Sequence, residues 1–270
     1  MKNPINPFKK ALQAGQTQYG FWLGLCNPTA AEICGLCGYD WLLIDAEHAP
    51  NDLNSIQAQL RAIDNTPSHP IVRLVEGNTS LIKQVLDAGA QTLLIPMVET
   101  AEQAKQLVAA IHYPPKGVRG VGTALARAAR WNLIDDYFAD ADREMCLLIQ
   151  IESVQGLDNL DDILTIDGID GVFIGPADLA ASMGYLGQPS HPDVISAVET
   201  AIEKILAAGK AAGTLATNKV LATRYEQAGM KFIALGVDTL ALANSAKKLL
   251  QSHLDNDDGD SMSDQGNGAY

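Results

Sequence analysis

The chain has 270 residues, 47% of them hydrophobic and 19% charged, with a mean hydropathy of +0.02, the make-up of an ordinary globular domain. Nineteen Lys and Arg against 32 Asp and Glu give a formal charge of −13, which argues against a nucleic-acid backbone or an anionic membrane as partner. No apolar run approaches the roughly 18 residues of a membrane span, no signal-peptide core precedes residue 15, and four cysteines make no disulfide framework, so a cytoplasmic location is expected.

Eight short apolar runs punctuate the chain, at residues 21–25, 41–44, 71–74, 92–95, 146–151, 171–174, 213–216 and 231–235. Most are continuous rather than alternating, as in parallel strands buried on both faces. Helical patterns lie between them. Leu53, Ile56, Leu60 and Ile63 put an apolar stripe on one face, as do Leu81, Ile82, Val85 and Leu86. Thr100 reads as an N-cap, and residues 194–206 form a further amphipathic stretch. This alternation predicts an α/β protein of one domain, a (β/α)8 TIM barrel over residues 1–254. A doubly wound sheet would need a Gly-rich first turn. Gly120-Val-Gly122-Thr-Ala-Leu125 lacks the third glycine and follows no clear strand, so no nucleotide cofactor is expected.

Two segments break the alternation. Residues 113–144 form a long connection with Pro114-Pro115, three glycines, Arg119, Arg127 and Arg130, a length that suits a lid or a subunit contact. Residues 255–270 carry Asp255, Asp257, Asp258, Asp260 and Asp264 with almost nothing to bury, and read as a disordered acidic tail.

A parallel barrel turns the carboxyl ends of its strands toward one face, where active sites are built. Asp45, Glu47 and His48 follow the second run, Arg73 lies in the third, Gln150 and Glu152 end the fifth, Asp178 follows the sixth and Asp238 the eighth. Glu152 and Asp178, at successive strand ends, suit a Mg²⁺ or Mn²⁺ site with positions left for water and substrate; taken singly, each is as well explained as a helix cap. His48 beside two carboxylates is a candidate general base, or a loop histidine bonded to backbone. Arg73 is either paired structurally with a rim acid or aimed at an enolate or carboxylate. Gln150 is a rim hydrogen-bonder or a contact to a substrate keto or carboxylate group. The amides of Ala177 and Asp178 could seat an anion. No lysine stands where a Schiff base would need one, so carbanion chemistry would require a metal as electron sink. Cys34-Gly-Leu-Cys37 lacks a second ligand pair for zinc, and the cysteines are expected in the core.

Residues Gly38-Tyr-Asp-Trp-Leu-Leu-Ile-Asp45-Ala-Glu-His48-Ala-Pro50, Arg119-Gly-Val-Gly-Thr-Ala-Leu-Ala-Arg-Ala128, Gln150-Ile-Glu152 and Gly171-Val-Phe-Ile-Gly-Pro-Ala-Asp-Leu179 resemble the HpcH/HpaI family of metal-dependent pyruvate aldolases. The resemblance runs from about Asn6 to Leu249, with Ala46 where the family more usually has Gly. It implies a (β/α)8 barrel assembling as a hexamer, with the last helix exchanged between subunits. It puts the general base at His48, the transition-state arginine at Arg73, the metal carboxylates at Glu152 and Asp178, and the pyruvate contacts at Gln150, Ala177 and Asp178. It also puts an aspartate that raises the histidine's basicity at Asp87. By position, Asp87 ends a helix on the face opposite His48, so it would have to act across a subunit boundary, with Asp45 as the alternative partner.

The implied cofactor is a divalent cation (Mg²⁺, Mn²⁺ or Co²⁺). The implied reaction is the reversible retro-aldol cleavage of 4-hydroxy-2-oxoheptanedioate into pyruvate and succinate semialdehyde, a step of aromatic-compound catabolism with a small 2-oxo acid and an aldehyde as partners. Two alternatives stay open: an aldolase for 2-dehydro-3-deoxyglucarate or another 2-keto-3-deoxy sugar acid, its selectivity set in residues 113–144, and a non-catalytic barrel that binds an oxo acid.

Overall fold

The computed structural model describes residues 1–255, so the predicted tail beyond Asp255 lies outside the described residues. The strands are β1 (Gln18–Leu23), β2 (Trp41–Asp45), β3 (His69–Arg73), β4 (Thr92–Ile95), β5 (Cys146–Ile151), β6 (Gly171–Ile174), β7 (Ala211–Leu215) and β8 (Phe232–Val237). Each pairs in parallel with the next, and β8 closes on β1. The chain is the (β/α)8 barrel that its alternating pattern predicts.

Continuous apolar runs work here because the strands are buried on both sides, save at Tyr19 on β1 and Leu235 on β8. Successive side chains alternate across the wall: Trp41, Leu43, Ile71, Leu94, Leu148 and Phe173 fill the barrel, whereas Leu42, Ile44, Val72, Leu93, Ile149 and Val172 pack outward against the helices. Of the stripes read from their sequences, the helix Leu53–Ile63 buries Ile56, Leu60 and Ile63 but leaves Leu53 exposed, and Thr79–Asp87 buries Ile82, Val85 and Leu86 with Leu81 half-buried; Thr100 caps Ala101–Ile111 through a capping box.

Strands β1, β3 and β7 start two or three residues before the apolar runs that announce them. The base of the barrel accepts polar groups there. Gln18 donates to the Phe8 carbonyl (3.2 Å), and the His69 Nε2 bonds Thr92 Oγ1 (2.8 Å). Phe8, from the helix Pro7–Gln13, plugs this end against Trp41, His69 and Phe232.

The cysteines depart from expectation: only Cys146 is buried, and Cys37 is exposed beyond the end of the helix Pro28–Gly35. The connection 113–144 also departs from a lid over its own site. It follows Ala101–Ile111, whose C-terminus points to the base, and leads into the start of β5. Arg127 there bonds the Ala88 carbonyl (3.4 Å) and Asp64 (2.5 Å), at the C-terminal ends of two helices. In its own chain, this segment is on the wrong face to touch substrate. The final helix, Asp238–Leu254, is exposed at every residue after Asp238, including Leu240, Leu242, Leu249 and Leu250.

Candidate active site

Asp45 organises the mouth of the barrel. It is paired in register with Arg73 on the neighbouring strand. Both residues point inward, so the guanidinium forks onto the carboxylate, Nε to Oδ1 at 2.9 Å and Nη2 to Oδ2 at 2.6 Å. Arg73 Nη1 also lies 2.7 Å from Glu47 Oε2, although that oxygen is left without a hydrogen-bond partner. The Arg73 guanidinium sits 4.9 Å from the ring centroid of Trp22, whose indole N–H donates to Asp45 Oδ2 (3.1 Å). Burial pushes the Asp45 carboxyl up, but the Arg73 fork, its charge and the Trp22 N–H outweigh it and hold the group below the usual range. Burial raises Glu47 instead, against the opposing charges of Arg73 and His48.

Asp45 Oδ1 also accepts the backbone N–H groups of Glu47 (3.0 Å) and His48 (3.4 Å), which fixes the turn after β2. The His48 imidazole is 65% exposed, with Nε2 3.9 Å from Glu47 Oε2. Among the described residues, the carboxylate within 4 Å of the ring is that of Glu47; Asp45, the expected alternative partner, is committed to Arg73 and Trp22. The rival histidines are elsewhere: burial drives His69 down to about 3 at the base, and His112 bonds the Val108 carbonyl.

Glu152 stands at the end of β5, only 3% exposed. It is not a helix cap, because Ser153 caps the next helix through Gly156 N–H (3.0 Å). Its Oε1 accepts from Met97 N–H (2.9 Å), and its Oε2 accepts from Gln150 Nε2. Burial raises its pKa; the hydrogen bonds from Gln150 and Met97 oppose this, while the charges of Asp178 and Glu47 add to it. Asp178 is exposed in the first turn of the helix Pro176–Ser182, whose N-cap is Gly175 rather than Asp178. Two hard carboxylates from successive strands, one buried and one open, fit a divalent cation that keeps water and substrate as its other ligands. Among the described residues, no three His, Cys, Asp or Glu side chains form a closed metal cage.

Pro176 opens its helix without an N–H, and the first-turn amides of Ala177 and Asp178 have no partner within the helix. Gly175 is required by close approach, because a Cβ there would stand 2.5 Å from Glu152 Oε2 and 3.1 Å from Gln150 Nε2. A carboxylate only accepts, so Gln150 must turn its NH₂ to Glu152. That leaves Oε1 buried and unpartnered. Gln150 therefore keeps a free acceptor together with the second N–H of its NH₂, the donor that a keto or carboxylate contact needs.

The single chain does not bring Asp87 to His48. Asp87 ends its helix on the base side and pairs with the fully buried Arg119 at 3.0 Å. Asp238, at the end of β8, accepts from Gly24, Leu25 and Thr239 and is structural. Sequence reasoning passed over Trp22 and Met97, and placed Glu47 and Gly175 at strand ends without a role of their own. Glu47 and Gly175 carried a signal, an acid and a Gly-Pro step at strand ends; Trp22 read only as core.

Relatives with known names share nearly the whole barrel. The chain is 55% identical over 249 residues to a hydroxypyruvate/pyruvate aldolase of Pseudomonas aeruginosa, covering 92% of this chain and 93% of that one. It is 56% identical over 244 residues to a 4-hydroxy-2-oxo-heptane-1,7-dioate aldolase of Salmonella dublin, covering 90% and 93%. The crystal structure of an HpcH/HpaI aldolase/citrate lyase family protein from Burkholderia cenocepacia superposes with a TM-score of 0.89 at 39% identity, covering 92% of this chain and 99% of that one. The pattern of the HpcH/HpaI aldolase/citrate lyase family matches residues 18–245. The chain belongs to that family and is an aldolase, a carbon–carbon lyase.

Proposed function

We propose that this aldolase is a divalent-cation-dependent enzyme that reversibly cleaves a 4-hydroxy-2-oxo acid between C3 and C4, giving pyruvate and an aldehyde. The substrate we assign is 4-hydroxy-2-oxoheptanedioate, with succinate semialdehyde as the aldehyde; the Salmonella relative carries that substrate in its name. One observation carries the reading: a seated guanidinium, an exposed imidazole and two carboxylates from successive strands converge on one barrel mouth.

Glu152 and Asp178 would hold a divalent cation (Mg²⁺, Mn²⁺ or Co²⁺), and the chemistry it would supply when bound is Lewis-acid polarisation of the 2-keto oxygen. Ala177 and Asp178 N–H groups receive the substrate carboxylate. His48 accepts the C4 hydroxyl proton at an imidazole nitrogen, and the C3–C4 electron pair moves toward C2 as the aldehyde forms. Arg73 donates to the negative charge that develops on the enolate oxygen, from a seat that does not need to reorganise. Protonated His48 then returns its proton to C3, which completes pyruvate.

Asp87 can serve His48 only from a second copy of the chain. The bare Asp238–Leu254 helix supports an assembly, which we assign as a hexamer with that helix exchanged. A second reading concerns the nucleophile. The free Gln150 Oε1 suits a hydroxyl donor, which pyruvate lacks and hydroxypyruvate has, and the Pseudomonas relative is named for both acids.

The test is pyruvate release, coupled to lactate dehydrogenase, from a panel of 4-hydroxy-2-oxo acids before and after metal stripping. Cleavage of the heptanedioate that vanishes on stripping and returns with Mg²⁺ or Mn²⁺ is expected. Full activity in the stripped protein, or no cleavage of any panel member, would overturn the reading.

A further inference from the structure

We propose that Trp22 is a positioning residue for Arg73: its indole N–H and ring face together set the plane of the guanidinium at the mouth. Trp22 lies on β1, inside the barrel and 5% exposed. Its ring packs on Phe173 across the barrel at 5.5 Å. Two contacts then run from it into the Asp45–Arg73 pair, the N–H to Asp45 Oδ2 and the ring under the guanidinium at 4.9 Å.

Neither contact is needed to bury a tryptophan. Trp41, on the neighbouring strand, satisfies its indole with a backbone carbonyl, that of Gln18. Trp22 spends its N–H on a carboxylate oxygen already bonded to Arg73 Nη2. A carboxylate forked onto an arginine can still turn with it as a unit. The Glu47 and His48 amides hold Oδ1, and the Trp22 N–H, arriving from a different strand, is the donor besides Arg73 that holds Oδ2. The aromatic face covers one side of the guanidinium plane and keeps water off it. Asp45 is thereby tied to β1 through Trp22, to β3 through Arg73 and to the His48 turn through two backbone amides. An enolate-stabilising donor works through pre-set direction more than through charge alone, so loss of this seat should appear in turnover rather than in substrate affinity.

The inference rests on the reading of Arg73 given under Proposed function. The test is a double-mutant cycle on the metal-loaded enzyme, with Trp22→Phe, Arg73→Lys and the pair. Trp22→Phe keeps a ring and loses the N–H; Arg73→Lys keeps the charge between Asp45 and Glu47 and loses the fork. Expected is a kcat about tenfold lower in Trp22→Phe, the net worth of a hydrogen bond to a charged group, with KM within about twofold. In the Arg73→Lys background, the same change should lower kcat by less than about twofold.

Equal losses in both backgrounds would mean that Trp22 does not act through Arg73, and would overturn the inference while leaving the aldolase reading intact. Undiminished kcat in Arg73→Lys would remove the role given to the arginine fork itself, and the inference with it. Thermal melts check folding, and Trp22→Tyr replaces Trp22→Phe if the latter is unfolded. If neither variant folds, Trp22 is a core residue only, and the inference is wrong.

Discussion

Gln150 on β5 and Glu152 just past its end share one hydrogen bond, and that bond turns the Gln150 acceptor away from the carboxylate. With Nε2 held by the carboxylate, the buried Oε1 is the free atom, and an unpaired buried acceptor costs about 1–3 kcal/mol. A substrate hydroxyl recovers that cost. The ratio of kcat/KM for hydroxypyruvate over pyruvate, with one aldehyde acceptor, should therefore fall about tenfold in Gln150→Leu. A ratio unchanged by the substitution would assign Oε1 to water instead.

Gly175 leaves the space that Glu152 occupies. Gly175→Ala places a methyl 2.5 Å from Glu152 Oε2, and neither the buried carboxylate nor the strand end can move far. Overpacking of this kind costs about 1–3 kcal/mol. Calorimetric titration with Mn²⁺ should show affinity weakened by tenfold or more, together with a lower melting temperature. Wild-type Mn²⁺ affinity in that variant would mean that Glu152 is not a ligand.

Arg73 and His48 should separate stability from catalysis. Arg73→Ala strands Asp45 and Glu47 without their cation, and breaking a buried pair costs about 3–5 kcal/mol, in addition to a rate loss on the order of 10²–10³. His48→Ala removes an exposed ring, so denaturant melts should barely change while turnover drops about 10²–10⁴.

His69 predicts an acid limb of stability that has nothing to do with the active site. Its imidazole is buried against Phe8, and its pKa is depressed from 6.5 to about 3. Between these values the unfolded chain binds a proton that the folded chain refuses, so stability falls as pH drops from about 6.5 toward 3, by up to about 1.4 kcal/mol per pH unit. Urea melts across pH 4–7 should show this slope, and it should flatten in His69→Gln.

The Asp238–Leu254 helix predicts a concentration-dependent assembly. Leu242 and Leu249 are 60% and 72% exposed in the single chain, and aspartate at both positions should leave the barrel folded by circular dichroism while light scattering reports a smaller species. An unaltered mass would move the subunit contact to another surface.

The barrel could be read from the chain because its cause is local. Eight apolar runs with helical stripes between them have few ways to bury both faces of every strand, and His48, Arg73, Glu152 and Asp178 stand near strand ends, whose common direction follows from the topology. Boundaries were less legible wherever the base admits polar residues, as at Gln18 and His69. A rim acid for Arg73 was legible as a class of partner, but the particular partners were not. Which carboxylate Arg73 forks onto depends on the Asp45–Arg73 register, Gln150 leaves its acceptor without a partner because Glu152 takes one of its N–H groups, and Trp22 reaches the Asp45–Arg73 pair from a strand about fifty residues before Arg73 in the chain. Sequence spacing sets the direction in which each side chain leaves its strand. Hydrogen bonds between strands depend on distances of a few tenths of an ångström, and only the closed barrel fixes those.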